Sequence, residues 1–127
     1  MSMTNILVVD DNITVCWIVQ RMLSDGQYQV QISQSVADAL GAIEQEHFDV
    51  YVLDYRLPDG SGFDVAERIR STWGATPIIL ITGYSRSVIE LRAQKFGISD
   101  FLEKPFSWEI MNGAMKKAIN SQPAVAQ

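Results

Sequence analysis

Three short apolar runs organise the chain: "ILVV" (6–9), "VYVL" (50–53) and "IILI" (78–81). None alternates with polar residues, so each is predicted to be a strand buried on both faces. "YQVQIS" (28–33) does alternate, as an edge strand does, and the shorter, mixed "SDFLE" (99–103) is predicted as the other edge. Between these runs the spacing changes to three and four. Val15, Ile18, Val19 and Met22 predict one amphipathic helix, and Val36, Ala39, Leu40 and Ile43 a second. Ser35 and Asp38 give the second helix a capping-box-like start. Val65, Ala66 and Ile69 mark a third helix. A weaker stripe of Ile89, Ala93 and Phe96, with Val88 and Leu91 beside it, marks a fourth. Met111, Ala114, Met115 and Ala118 close the series. The turns fall at "DGQ", "PDGSG", "WGATP" and "FGISD".

Strand followed by helix, five times over, predicts an α/β fold: a parallel five-stranded sheet with helices on both faces. Residues 1–120 form the expected domain, and 121–127 ("SQPAVAQ") lack periodicity and are expected to fray. A chain of 127 residues is long enough to bury a core without staples.

Charge and composition narrow the classes. A net charge of −5 leaves direct nucleic-acid binding without its main driving force. The apolar runs fall far short of the ~20 residues of a membrane helix. "MSMTNILVVDD" has no cationic leader region, and the single Cys16 cannot form an internal disulfide. A cytoplasmic protein without membrane insertion is expected.

In a parallel sheet the C-terminal strand ends share one edge, where open α/β folds bind ligands. Asp10 and Asp11 follow the first strand, Asp54 ends the third, Thr82 ends the fourth, and Lys104 follows the fifth. Taken singly, Asp11 reads as the N-cap of the next helix, Asp10 and Asp54 as turn formers, Thr82 as a strand-end hydroxyl and Lys104 as a surface charge. Together they demand more. Two carboxylates ~4 Å apart repel by about 4 kcal/mol at an effective dielectric of 20. Lys104 supplies one compensating charge, and a divalent cation is the natural second. Oxygen donors select a hard ion, Mg²⁺ or Mn²⁺. Mg²⁺ favours one or two carboxylates plus phosphate oxygens, so the edge reads as a phosphoryl site with Asp54 as nucleophile.

The stretches "ILVVDD", "VLDYRLPDGSG", "IILITGY" and "FLEKPF", in this order and spacing, resemble the receiver domain of bacterial two-component response regulators. The likeness extends to about residue 120. It implies a flavodoxin-like (βα)₅ fold with strand order 2-1-3-4-5. It implies that Asp54 accepts a phosphoryl group from a phosphohistidine on a histidine kinase or histidine phosphotransfer domain. Asp11, Asp54 and the backbone carbonyl of Arg56 would bind the cation, with Asp10 acting mainly through water. Lys104 would contact a phosphoryl oxygen and Thr82 would swing in to bond another. Gly83 resembles the small residue beside the phosphoryl site. The Lys104–Pro105 bond would be cis, which only a following proline makes inexpensive. Phe101 takes the aromatic switch position, without the hydroxyl of a tyrosine. Arg56 and Tyr84, two residues beyond Asp54 and Thr82, border the attacking water and would tune phosphoryl lifetime.

The switched surface would comprise the fourth helix, fifth strand and fifth helix, presented to a downstream protein or to a second copy. Ile13 and Trp17, off the core stripe of the first helix, either dock a kinase helical bundle or pack on a neighbouring helix. Trp108 and Ile110 are candidates for a dimer or output face. Trp73 is expected to cover a helix end, Cys16 to fill a small space, and His47 to sit at the negative end of the second helix.

Three rivals are weighed. A haloacid-dehalogenase-type phosphohydrolase wants a second acid two residues past the nucleophile, where this chain has Arg56. A flavodoxin-like nucleotide binder wants a glycine- or hydroxyl-rich loop after the first strand, where "DDNIT" stands. A receiver-shaped protein that only binds partners has no need of all five polar residues. The chain fits both a free-standing receiver and a domain of a hybrid kinase or longer regulator.

Overall fold

The structure, a computed structural model, describes residues 3–24, 26–84, 86–98 and 100–120. The expected tail lies outside these residues. The five predicted strands form as β1 (Thr4–Val9), β2 (Tyr28–Ser33), β3 (Val50–Asp54), β4 (Ile78–Thr82) and β5 (Asp100–Glu103). They build one parallel sheet in the order β2-β1-β3-β4-β5. The helices are α1 (Ile13–Met22), α2 (Val36–Gln45), α3 (Gly62–Trp73), α4 (Arg86–Lys95) and α5 (Trp108–Asn120). Among the described residues no helix is long and apolar enough to cross a membrane.

The non-alternating runs behave as their composition demands. Ile6–Val9, Val50–Leu53 and Ile78–Ile81 are all buried, because helices cover both faces of the sheet. Successive strand residues point to opposite faces and so divide between two cores. Leu7, Leu53 and Leu80 pack with α2, α3 and α4, whereas Ile6, Val52 and Ile79 pack with α1 and α5. Edge strand β2 exposes Gln29 and Gln31 between the more buried Tyr28, Val30 and Ile32, as its pattern predicts, and only Ser33 at its end breaks the alternation by being buried.

Helix ends refine the sequence reading. The N-cap of α1 is Asn12 rather than Asp11: its side chain accepts from the backbone N–H groups of Thr14 and Val15 at 2.9 and 3.3 Å. Asp11 is thereby left exposed. Ser35 caps α2 through Asp38 N–H. Ser61 and Asp64 form a full capping box on α3. Helix α4 buries Ile89 and Ala93 but leaves Leu91 81% exposed, so its apolar stripe is narrow. Phe96 lies just past its end, where Gly97 takes φ +64° and turns the chain.

Between β3 and α3 the chain makes a small antiparallel ribbon that pairs Arg56 with Ser61 and Leu57 with Gly60. The ribbon has no apolar run to announce it.

Candidate functional site

β3 ends buried in the middle of the sheet, and that placement carries Asp54 to the edge with little access to water. The residue is 6% exposed. Asp10 follows β1, the neighbouring strand, and is fully buried. Its Oδ1 accepts from Asn12 N–H at 2.9 Å. Its Oδ2 is buried and pairs with the Lys104 ammonium, 2.9 Å away. Lys104 Nζ also stands 3.4 Å from Asp54 Oδ2, so one cation bridges two buried acids. Asp11 completes the acidic group from the solvent side. Asp10, Asp11 and Asp54 each offer an oxygen within 4.8 Å of the others.

The electrostatics follow from burial. Desolvation, and then the charge of Asp10, push the Asp54 carboxyl up to about 6, against the pull of Lys104. Burial alone would lower Lys104. The hydrogen bond and charge of Asp10, reinforced by Asp54, outweigh it and hold the ammonium above the ordinary lysine range. Lys104 therefore stays charged, one cation facing the carboxyl groups of Asp10, Asp11 and Asp54. All the donors are hard oxygens, and the two buried carboxylates share a single ammonium. The set fits a divalent cation such as Mg²⁺.

Thr82 is fully buried at the end of β4. Its Oγ1 accepts from Tyr84 N–H at 2.9 Å, and its carbonyl accepts from Lys104 N–H at 2.7 Å. The Lys104–Pro105 peptide is cis. An added Cβ at Gly83 meets nothing within 4 Å, so the space beside it is open. Arg56 is exposed and reaches across to Tyr84, with Nη1 donating to the phenolic oxygen at 2.6 Å. Phe101 is half-buried against the α2–α4 core. Asp10, Asp11, Asp54 and Lys104 thus converge, Thr82 stands at the same edge, and Arg56 and Tyr84 pair with each other. The position two residues beyond Asp54 holds a cation, so the second acid of a haloacid-dehalogenase-type mechanism is missing there.

Cys16, Trp73 and His47 take structural places. The Cys16 thiol donates to the Asp10 carbonyl at 3.2 Å, and burial pushes it up to about 11. Trp73 does cover a helix end, with Nε1 donating to the Ile43 carbonyl at 2.9 Å. His47 Nε2 lies 3.2 Å from Thr76 Oγ1, and its ring sits 4.7 Å from that of Trp73. Trp108 Nε1 donates to the Met22 carbonyl, tying α5 to the end of α1. Trp17 is 60% exposed, and Trp108 and Ile110 are exposed as well, at 52% and 53%. Two residues escaped the sequence reading. Asn12 holds Asp10 through its N–H, and Asp59 binds backbone on α2. Asn12 had a local signal, a capping amide before an apolar periodic run. Asp59 had none, because its partners lie more than twenty residues away.

The response regulator receiver domain model matches residues 6–116. The chain is 31% identical over 115 residues to the transcriptional regulatory protein ZraR of Escherichia coli, covering 91% of this chain and 26% of ZraR. It is 30% identical over 121 residues to the response regulator ArlR of Staphylococcus epidermidis, covering 95% of this chain and 55% of ArlR. The chain therefore spans about a quarter to about half of these relatives. A CheY-like receiver domain protein from Methanospirillum hungatei shares the fold, with a TM-score of 0.88, 24% identity and coverage of 94% of this chain and 95% of that one. The chain belongs to the receiver domain family of two-component response regulators.

Proposed function

We propose that this receiver is a phosphoacceptor switch in a phosphorelay, taking a phosphoryl group from a phosphohistidine onto Asp54. The observation that carries this reading is the Lys104 ammonium between the buried carboxylates of Asp10 and Asp54, 2.9 and 3.4 Å away, at the ligand-binding edge of the sheet. An Asp54 carboxylate oxygen attacks phosphorus, the P–N bond breaks, and its electron pair returns to the imidazole nitrogen of the donor. Lys104 lies close enough to Asp54 to turn from its carboxylate to an oxygen of the transferring group. Asp11, Asp54 and the Arg56 backbone carbonyl would hold Mg²⁺, with Asp10 acting through water. The ion, when bound, neutralises charge on the phosphoryl oxygens.

Thr82 gives the switch its second contact. To bond a phosphoryl oxygen, its hydroxyl gives up the Tyr84 N–H, which loosens the segment leading to α4. The space it leaves admits Phe101, a packing switch without a phenolic hydroxyl. The α4–β5–α5 surface would then present a changed face to a downstream protein or a second copy. Arg56 and Tyr84, joined by a hydrogen bond beside the acceptor, would shield the acyl phosphate from water.

The test is intact mass after incubation with acetyl phosphate and Mg²⁺. Wild type is expected to gain one phosphoryl group and Asp54→Asn none. Equal labelling of both, or of neither, sinks the reading.

A further inference from the structure

The loop after Asp54 is fastened at both ends and at its tip. At its base, Tyr55 N–H donates to the Ile81 carbonyl and Gly62 N–H to the Tyr55 carbonyl, each at 2.9 Å. On the returning strand, Ser61 N–H donates to Asp64 Oδ2 on α3 at 3.0 Å. The tip is fastened to a different helix. Asp59 Oδ1 accepts from Val36 N–H at 2.8 Å and Oδ2 from Ala37 N–H at 3.0 Å. These are the first two residues of α2, whose N–H groups have no intrahelical partner. Ser35 Oγ takes the third, from Asp38, at 3.0 Å. The carboxylate also meets the positive end of the helix dipole. The fit is close: a Cβ on Gly60 would stand 3.1 Å from Val36 Cγ2 and 2.5 Å from Asp64 Oδ2.

We propose that Asp59 is a positioning residue for the cation site, holding against α2 the ribbon that carries the Arg56 carbonyl and so setting the affinity of the acidic pocket for Mg²⁺. This rests on the reading of the pocket given above. A bare capping role is the competing account: Asp59 would then stabilise α2 and do nothing for the site. The two accounts separate because α2 has a second cap at the same end. Ser35→Ala removes that cap without touching the ribbon.

Mg²⁺ binding measured by calorimetry, with urea denaturation in parallel, decides between them. Asp59→Ala is expected to weaken Mg²⁺ binding roughly ten-fold, as loss of an outer support of a metal ligand does. Asp59→Asn, which keeps one acceptor oxygen, is expected to recover part of that loss. Ser35→Ala is expected to lower the urea midpoint while leaving Mg²⁺ affinity at the wild-type value. Wild-type affinity in Asp59→Ala, or an equal loss in Ser35→Ala, overturns the inference. If Asp59→Ala does not fold, Asp59→Asn carries the comparison, and unaltered affinity there overturns it equally. A wild-type protein that takes up no Mg²⁺ overturns the reading of the pocket itself, and the inference with it.

Discussion

Arg56 and Tyr84 form a side-chain contact near Asp54, the proposed acceptor. Both are solvent-facing, yet Nη1 of one meets the phenolic oxygen of the other, and the guanidinium carbon lies 5.6 Å from the ring centroid. A hydrogen bond of this kind contributes about 1 kcal/mol. If it shields the phosphoryl group from water, losing it should speed hydrolysis by about five-fold. Arg56→Ala and Tyr84→Ala are each expected to shorten the half-life of phosphorylated Asp54 by that order, read as decay of the phosphorylated mass after donor removal. Unchanged or longer half-lives would show that the pair does not guard the site. Gly62 is a second such residue. A Cβ there would stand 2.5 Å from the Asp54 carbonyl oxygen and 3.1 Å from Leu80 Cδ1. Neither neighbour can retreat far, since one is strand backbone and the other is core. Gly62→Ala is therefore expected to cost about 1–3 kcal/mol in urea denaturation.

At the scale of elements, the segment just past α4 is tied to α3 by one side chain. Arg70 on α3 donates to the Phe96 and Gly97 carbonyls just past α4, at 2.6 and 3.1 Å. It also donates to the Gly74 and Thr76 carbonyls before β4, at 2.8 and 2.7 Å. Phe96 adds a stacked contact with Phe63, centroids 5.5 Å apart. Arg70→Ala strands four carbonyls and is expected to cost about 2–4 kcal/mol, with faster amide exchange concentrated in the last turn of α4. Asp59 fastens α2 in the reverse sense, an acid on a helix N-terminus. The Ala37 N–H and then the Val36 N–H hold its carboxyl below the usual carboxylate value. A depressed folded pKa contributes stability above the unfolded value of ~3.9, lost as pH falls through the folded one. The stability gap between wild type and Asp59→Asn is thus expected to narrow on acidification below about pH 4, as followed by urea midpoints. These two ties also show what a sequence conceals. The strands were legible because burial on both faces leaves an unbroken apolar run, as in Ile78–Ile81. The acidic edge was legible because parallel topology gathers strand ends wherever the helices lie. Arg70 and Asp59 were not, because their partners are backbone groups, several of them in distant segments, which no side-chain pattern records. Capping, the alternative to a site role for Asp11, falls to its neighbour for a local reason: two adjacent residues can both cap, and Asn12 has the extended backbone that does so, φ −87°, ψ 106°.

At the scale of the whole molecule, the acidic site works against the fold that carries it. Asp10 and Asp54 are buried carboxylates sharing one lysine, with Asp11 close by, on a chain already at −5. Burial, and then the charge of Asp10, make the charged form of Asp54 unfavourable in the folded state, while in the unfolded chain water screens it. Removing the charge at Asp54 should therefore stabilise the protein wherever no cation compensates it. In chelator, Asp54→Asn is expected to unfold at higher urea than wild type, by about 1–3 kcal/mol, the scale of one poorly compensated charge pair. Adding Mg²⁺ should narrow that gap from the other side. A ligand bound only by the folded state stabilises it by about 1.4 kcal/mol at ten times its dissociation constant, and wild type is expected to gain more than a variant lacking one of the proposed carboxylate ligands. The measurement is a pair of denaturation curves for each protein, with and without the ion. If wild type in chelator is the more stable protein, Lys104 already neutralises the pocket, and the three acids then carry no unmet demand for a metal.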